Sequence, residues 1–304
     1  MSIKIKEKLV LLDSYAILHR AFHALPNFTS RRTGEPTGAL YGFSAFLLKT
    51  IRELKPDYLV ACYDLAEPTF RHIAYEQYKA QRPQKEDILI KQIDRSRDII
   101  KAFNIPIYDS PGFEADDLLG TIVESLKTQD SRPKIIIASG DLDTLQLVRG
   151  EEVVVYTLSK GIKETVIYNE EKVYERYGFG PELVPDFKAL KGDPSDNIIG
   201  VRGIGEKTAI ELIKNFGTIE NLYKILKSNP GKLKETKIKD RVIKLLEENE
   251  EEAIFSKTLA EIRKDAPIKF SLEQSKWRDN FDIEKVKELF TELGFKSLID
   301  RLPS

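Results

Sequence analysis

Short apolar runs that end in an acidic residue alternate with stretches of helical periodicity through the first half of this chain. This alternation is typical of βα units, in which helices join parallel strands and cover the sheet. The run LVLLD ends at Asp13, YLVACYD at Asp64 and IIIASGD at Asp141. Because the carboxyl ends of parallel strands face one crevice, these carboxylates are predicted to converge there.

The pattern predicts an α/β fold with a mostly parallel sheet flanked by helices. Five strands are predicted, over 8–13, 58–64, 105–109, 134–139 and 152–156. Helical periodicity covers 39–54, 87–103 and 115–127. After about residue 193 short helices punctuated by glycine follow, without a strand signal of comparable strength. We expect an α/β core over 1–192 and a helical region over 193–304.

Few side chains in this chain can bind a soft metal ion, since its 304 residues include one cysteine and three histidines. An internal disulfide and a cysteine metal cluster are excluded, so a metal site would use oxygen ligands. The apolar run near the N-terminus is too short for a signal peptide or a membrane span. We expect a cytoplasmic protein with no membrane partner.

Nine acidic side chains stand at predicted strand ends or in tight clusters: Asp13, Asp64, Glu114, Asp116, Asp117, Asp141, Asp143, Asp193 and Asp196. Each alone can be interpreted as a helix cap or a turn residue. Together in one crevice they would repel each other by about 1–4 kcal/mol per pair at about 4 Å. Protonation or bound divalent cations would relieve this repulsion. A pair of Mg²⁺ or Mn²⁺ ions fits such oxygen ligands and predicts phosphodiester hydrolysis.

The charge outside these nine acids is positive, because 48 basic residues then face 40 acidic ones. This balance favours a polyanionic substrate. The segment GVRGIGEKTA, 200–209, lies in a window, 200–244, with 11 basic and 5 acidic residues. Its small residues and its free helix-start amides suit a phosphate backbone. The alternative is a tight interhelical turn that needs no ligand.

A second basic segment, 68–85, follows the strand that ends at Asp64. It interleaves basic and aromatic side chains: Phe70, Arg71, Tyr75, Tyr78, Lys79, Arg82 and Lys85. This composition suits a single strand, whose bases stack on aromatic rings while basic groups follow the phosphates. The alternative is that the aromatic rings belong to a helix core.

Five motifs, in this order and at this spacing, resemble the 5′ nuclease family: LVLLDSYAILHRAFHALP, YDLAEPTFRHIAYEQYKAQR, GFEADDLLGTI, GDLDTLQLV and KGDPSDNIIGVRGIGEKTA. The resemblance covers the chain from Leu9 onward. It implies a PIN-like core, a helical arch over about 66–104 and a helix-hairpin-helix over about 198–228. It also implies Mg²⁺-dependent flap endonuclease and 5′-3′ exonuclease activity on DNA and RNA primers in replication and repair.

The resemblance further implies roles for particular residues. Ligands of a first metal ion, or neighbours of those ligands, would be Asp13, Asp64, Glu114 and Asp116. The second ion would be served by Asp141, Asp143, Asp193 and Asp196, with Asp117 in support and Asp116 as a candidate bridge between the ions. The scissile strand would be held by Tyr78, Lys79 and Arg82. DNA contacts would come from Arg71, Gly203, Gly205, Lys207 and Thr208.

The cofactors implied by the resemblance are two Mg²⁺ ions, for which Mn²⁺ can substitute, and K⁺ at the helix-hairpin-helix. The partners are DNA with a 5′ flap, a nick or a 5′ end, RNA–DNA primer junctions, and a DNA polymerase in the same or another chain. Two alternatives stay open, a non-catalytic DNA-binding module and a PIN-type ribonuclease. Retention of all nine acids argues against the first, and the helix-hairpin-helix would be superfluous in the second.

Overall fold

A computed structural model describes residues 6–82, 86–127, 132–160, 164–236 and 238–303 of the chain. These residues form one six-stranded sheet: β1 (Lys8–Asp13), β2 (Tyr58–Cys62), β3 (Ile107–Tyr108), β4 (Lys134–Ser139), β5 (Val153–Lys160) and β6 (Glu164–Tyr168). The strand order is β3-β2-β1-β4-β5-β6, and every neighbouring pair is parallel except β5 and β6. The predicted α/β class with a mostly parallel sheet is confirmed.

The helices of the described residues fall into two groups. Those up to residue 127 are α1 (Ser14–Ala24), α2 (Gly38–Leu54), α3 (Phe70–Ala74), α4 (Asp87–Ala102) and α5 (Ala115–Ser125). The later ones are α6 (Glu170–Tyr177), α7 (Val184–Lys191), α8 (Glu206–Phe216), α9 (Ile219–Ser228), α10 (Gly231–Glu235), α11 (Asp240–Glu248), α12 (Glu250–Ala260), α13 (Ile283–Leu293) and α14 (Lys296–Ile299). No helix of these described segments is both long and apolar enough to cross a membrane.

The sheet is covered on both faces, as its continuous apolar strands require. Along β1 the side chains alternate, so that Val10 and Leu12 pack on one face while Leu9 and Leu11 pack on the other. The first face carries α1, α2 and α4, and the second carries α5. Strand β1 lies between β2 and β4, where the strand order reverses, and such a point opens a crevice at the carboxyl ends of the strands.

The helical region has its own hydrophobic core, which begins at Phe179 and includes side chains of α7 to α9, α11 and α12. The packing therefore changes near residue 178 rather than at the predicted boundary of 193. Beyond α12 the chain returns to the sheet, where Trp277 and Phe290 are fully buried in the first core. The indole nitrogen of Trp277 donates to the carbonyl of Pro56 at 3.2 Å. The last 40 residues thus belong to the α/β core.

The predicted strands differ from the observed ones at the sheet edges. The run at 105–109 forms only the two-residue β3, and β6 was not predicted. Both are edge strands with exposed or half-buried side chains, so they lack the apolar signal of the central strands. Within the predicted arch, α3, a series of turns and α4 are described, whereas 83–85, including Lys85, lies outside the described residues.

Candidate active site

Three of the predicted acids lie at the strand ends that face the crevice, Asp13 at the end of β1 and Asp64 and Asp141 two residues after β2 and β4, and each accepts a backbone hydrogen bond. Asp13 ends β1, and its carboxylate accepts from the amide of Ala16 at 3.0 Å and from the hydroxyl of Ser139 at 2.6 Å. Asp64 accepts from the amide of Ala115, the first residue of α5, at 2.7 Å. Asp141 accepts from the amide of Asp143 at 2.9 Å. The predicted cap interpretation is therefore correct for Asp141, and Asp13 is likewise the N-cap of α1, but the position of the three acids at one edge adds mutual repulsion.

Asp116 is the acid of this edge with the fewest compensating contacts. Its carboxylate takes part in none of the hydrogen bonds or ion pairs found in the described parts of the chain. Burial raises its pKa well above the ordinary value, and the charges of Asp13, Asp141, Asp143 and Asp64 raise it further. Convergence of these five acids agrees with the strand-end prediction. We refer to them as the acid cluster.

The carboxylates of the acid cluster lie near one another but do not converge in the arrangement of metal ligands. Burial raises the pKa of Asp13 to about 7 despite its hydrogen bonds, and the neighbouring charges of Asp64 and Asp141 contribute to the rise. Among the described residues no group of three His, Cys, Asp or Glu side chains takes up the arrangement of metal ligands. The cluster therefore has an excess of negative charge but is not a formed coordination sphere.

A buried lysine bridges the second group of acids. Lys188 of α7 contacts the carboxylate of Asp143 and lies 2.6 Å from Oδ2 of Asp193. Burial would raise the pKa of Asp193, but Lys188 and two hydrogen bonds from Ser195 hold it at about 2. Burial raises the pKa of Asp143 to about 7 in spite of Lys188. One cation thus stands between two acids that were predicted to serve a metal ion.

The chain without added divalent ions is expected to lose stability as the pH rises through about 7. In the fold, Asp13 and Asp143 keep their protons up to about pH 7, whereas in the unfolded chain they lose them near pH 4. This stabilisation is complete below the unfolded pKa and disappears as the pH rises through the folded pKa. Chemical denaturation at about pH 6 and about pH 8 should show a loss of about 1–3 kcal/mol.

Asp143→Asn is the matched control for this pH dependence. The variant removes one of the two carboxyls but keeps His72, whose pKa is lowered by burial and whose contribution to stability grows over the same pH range. We expect a smaller loss of stability in Asp143→Asn than in the wild type. An equal pH dependence in both proteins would contradict the assignment.

The base of the predicted arch is docked onto two further metal-site candidates, Glu114 and Asp196. The ammonium of Lys79 lies 2.7 Å from Oε1 of Glu114 and 3.8 Å from Oδ2 of Asp196. Arg82 contacts the other oxygen of Asp196. Burial would raise the pKa of Glu114, but Lys79 and Arg71 hold it below its ordinary range. Glu114 and Asp196 are therefore neutralised by basic residues of the chain itself.

Tyr78 does not have the exposed ring that base stacking requires. Its side chain is 3% exposed, and its hydroxyl donates to Glu114 at 3.1 Å and to Asp196 at 3.2 Å. The ring packs in a small apolar cluster with Ile198 and Leu259. The structure thus supports the helix-core interpretation for this ring, and the predicted stacking role of Tyr78 is corrected.

Arg71 and Asp117 form a buried ion pair rather than a DNA contact and a metal ligand. The Arg71 guanidinium donates to both oxygens of Asp117, at 2.8 and 2.9 Å, and to the carbonyls of Leu259 and Glu261. It is 3% exposed, while Asp117 is fully buried and also accepts from the amides of Glu114 and Arg263. Both side chains are fully engaged inside the protein, so the predicted DNA contact of Arg71 is corrected, whereas the supporting role of Asp117 stays a prediction.

The predicted phosphate-binding residues lie on the turn before α8, which holds Gly203 and Gly205, and in the first turn of that helix, which holds Lys207 and Thr208. Gly203, Gly205 and Lys207 are exposed, Thr208 is half-buried, and α8 begins directly after Gly205. Gly203 has a φ of +93°, which favours glycine. At Gly205 a Cβ would meet no heavy atom within 4 Å, so the fold itself does not demand a glycine there. Helices α8 and α9 occupy the range predicted for the helix-hairpin-helix.

Lys188 is the site residue that sequence reasoning missed. A lysine in an amphipathic helix is usually interpreted as a solvent-exposed residue. One feature of the sequence could have indicated its role. Lys188 stands five residues before Asp193 in VPDFKALKGD, and most of its neighbours in α7 are buried. The nearby Asp193 is one partner of this lysine, but the second, Asp143, lies 45 positions away along the chain and is brought to it only by the tertiary fold.

Two consecutive family models match the chain. They are the 5′-3′ exonuclease N-terminal resolvase-like domain, over residues 8–178, and the 5′-3′ exonuclease C-terminal SAM fold, over 179–282. The boundary between them coincides with the change of hydrophobic core near residue 178.

Curated relatives include the DNA polymerase I of Bacillus caldotenax, 41% identical over 300 residues, and that of Bacillus subtilis, 38% identical over 297. Both alignments cover 98% of this chain but only 33% and 32% of the relatives. This chain therefore spans about one third of the length of these polymerases.

Solved structures with the same fold include the T5 D15 protein co-crystallised with metal ions, with a TM-score of 0.66 and 18% identity over 94% of this chain and 100% of that one. The catalytic core of Rad2 in complex with a DNA substrate has a TM-score of 0.60 and 17% identity, over 98% of this chain and 94% of that one. At these identities the likeness concerns the fold alone. The family models and the polymerase relatives, which cover nearly the whole length, show that this chain belongs to the 5′-3′ exonuclease family.

Proposed function

We propose that this chain is a divalent-metal-dependent 5′ nuclease that hydrolyses phosphodiester bonds of DNA at 5′ flaps, nicks and 5′ ends, and of RNA primers, in replication and repair. The observation that carries the proposal is the carboxylate of Asp116, which lies unpaired among Asp13, Asp64, Asp141 and Asp143. A scaffold that only bound DNA would gain nothing from this repulsion. Family membership supports the same reaction class.

The acid cluster fits divalent cations by the chemistry of its donors. It offers carboxylate oxygens, which Mg²⁺ and Mn²⁺ prefer, and its surplus charge disappears when cations bind. We assign one ion to Asp13, Asp64 and Asp116, and a second to Asp141, Asp143 and Asp193 with Asp116 as a bridge. When bound, two such ions supply an activated water and stabilise the leaving oxygen.

Lys188 acts as the counterion of the second group of acids. Its ammonium is paired with Asp143 and Asp193, so it holds them close together at the edge of the sheet. Asp143 and Asp193 would hold a cation at this place, and Lys188 would then share these carboxylates with it or give them up. Lys188 thereby positions the two ligands before any ion arrives.

Lys79 and Arg82 act on the substrate strand from the arch base. Glu114 and Asp196 fix these two basic groups beside the acid cluster, so we assign them a positioning role rather than direct metal ligation. A phosphate entering the crevice meets both cations, and Lys79 can stabilise charge that develops in the transition state. For Asp196 this differs from the predicted role at the second ion, whereas for Glu114 it is the second of the two predicted roles, that of a neighbour of the ligands.

We propose that duplex DNA binds at the exposed turn before α8. Free amides at a helix start and the open space at Gly205 suit a phosphate backbone without sequence readout. We also propose K⁺ at this turn and a polymerase partner. The relatives are DNA polymerases about three times as long, which supports a polymerase in the same chain.

A cleavage assay on 5′-flap, nicked, single-stranded and RNA-primed DNA tests the proposal. We expect Mg²⁺-dependent cleavage near the junction of the flap and the duplex, and no cleavage in Ca²⁺. A chain that binds these substrates but cleaves none of them in Mg²⁺ or Mn²⁺ would be a DNA-binding module. Cleavage of RNA alone would favour the ribonuclease alternative.

Gly205→Val separates DNA binding from chemistry in the same assay. An added Cβ meets no heavy atom within 4 Å, so the variant should fold, with a modest loss of stability because valine is a poorer N-cap of α8 than glycine, but its side chain blocks the approach of a phosphate backbone. We expect weaker binding to flap DNA in Ca²⁺, to the same degree for all sequences, with cleavage at saturating protein retained. A loss that depended on the base sequence would contradict backbone anchoring.

A further inference from the structure

Two exposed histidines lie one turn apart on α1. The Nε2 atoms of His19 and His23 are 3.2 Å apart, and their rings approach edge to face with centroids at 4.5 Å. Both side chains are exposed to solvent. The proposed nuclease function uses neither of them.

This spacing matches two nitrogen ligands of one metal ion. Nitrogens bound at about 2.0–2.1 Å to a tetrahedral Zn²⁺ ion lie about 3.3 Å apart. The observed separation of 3.2 Å therefore needs almost no movement of the rings. Helices present paired imidazoles to a metal ion at the same i, i+4 spacing.

We propose that His19 and His23 form a bidentate site for a transition-metal ion of the Zn²⁺, Ni²⁺ or Cu²⁺ class, with water completing the coordination. Imidazole nitrogen favours these ions, whereas the carboxylates of the acid cluster favour Mg²⁺ and Mn²⁺. The chain thus carries two metal sites of different chemistry. On binding, the ring that donates through Nε2 moves its proton to Nδ1 by exchange with solvent, so that both neutral rings carry their proton on Nδ1 and offer the Nε2 lone pair to the ion.

A metal ion at this site would bind two residues that are close together only when α1 is folded. An ion that binds the native chain and not the unfolded one raises the unfolding temperature. The site lies in the last turns of α1, so the ion would hold that end of the helix. Thermal stability is therefore a readout independent of nuclease activity.

The test uses the full chain with saturating Mg²⁺, which occupies the acid cluster. Titration with Ni²⁺ and Cu²⁺ is followed by calorimetry, by thermal unfolding and, for Cu²⁺, by electron paramagnetic resonance. We expect two coordinated nitrogens in the Cu²⁺ spectrum and a rise in unfolding temperature. In His19→Gln and His23→Gln, affinity should fall by more than about tenfold, and the stabilisation should disappear.

His72→Gln is the matched control, since His72 is the remaining histidine of the chain. This variant should bind Ni²⁺ and Cu²⁺ as tightly as the wild type. Unchanged affinity in both pair variants would overturn the proposal, as would a Cu²⁺ spectrum without nitrogen couplings. If Asp143→Asn lost Ni²⁺ and Cu²⁺ binding while His19→Gln kept it, these ions would belong to the acid cluster, and the proposal would also be overturned. Unfolding without metal confirms that each variant is folded.

Discussion

Asp116→Asn should lower the rate of flap cleavage by about 10³-fold or more, and at the same time make the metal-free chain more stable. The rate falls because the variant loses a carboxylate that we assign to both ions, and metal ions supply several kcal/mol of transition-state stabilisation. Stability rises by about 1 kcal/mol or more because the amide removes repulsion with Asp13, Asp64, Asp141 and Asp143. Single-turnover cleavage and urea denaturation measure the two effects.

Opposite changes in activity and stability distinguish a functional acid from a structural one. Asp265→Asn is the control, because Asp265 is an exposed acid that pairs with Arg263 on the surface. It should leave both measurements nearly unchanged. DNA binding of Asp116→Asn in Ca²⁺ should persist. An Asp116→Asn variant that cleaves at near wild-type rate, or that loses stability, would refute the assignment.

Arg71→Met should lower the free energy of unfolding by about 3–5 kcal/mol, because it leaves the buried carboxylate of Asp117 without its partner. It also removes the donors to the carbonyls of Leu259 and Glu261, which attach the end of α12 to α3. The folded fraction should bind flap DNA as the wild type does. Urea denaturation and binding in Ca²⁺ measure these quantities.

Two comparisons make this test specific. In Arg71→Met/Asp117→Asn the unpaired charge is absent, so the double variant should be less destabilised than the sum of the single variants. Lys127→Met breaks an exposed pair with Glu124 and should cost about 0.5 kcal/mol or less. A stable Arg71→Met that loses DNA affinity would restore the DNA-contact interpretation.

The central strands and the convergence of the acids could be predicted from the sequence because both depend on local patterns. The apolar runs of β1, β2 and β4 are typical of buried strands. Because these strands are parallel, the acid at or after the end of each run lies at the same edge of the sheet. Edge strands escaped this reasoning, since β6 has alternating exposed positions and lies beyond the parallel units. The predictable part of the fold is therefore its fully buried centre.

Partners of the charged side chains could not be predicted in the same way. Three basic residues of the site, Arg71, Lys79 and Lys188, each pair with an acid 35 or more positions away along the chain. Nothing in the neighbouring sequence indicates these partners. Periodicity gives the face of a helix but not the opposing surface. The distinction between a DNA contact and an internal ion pair thus required tertiary contacts.

The return of the last 40 residues to the sheet has a consequence for the order of folding. Leu12 of β1 and Phe290 of α13 lie in one hydrophobic core although nearly the whole chain separates them. Closing so long a loop has an entropic cost that local contacts do not repay. During synthesis, α1, α2 and α4 can cover this face of the sheet early, but the part of the core that Phe290 fills must stay open until α13 has left the ribosome, while the helical region between can already be complete.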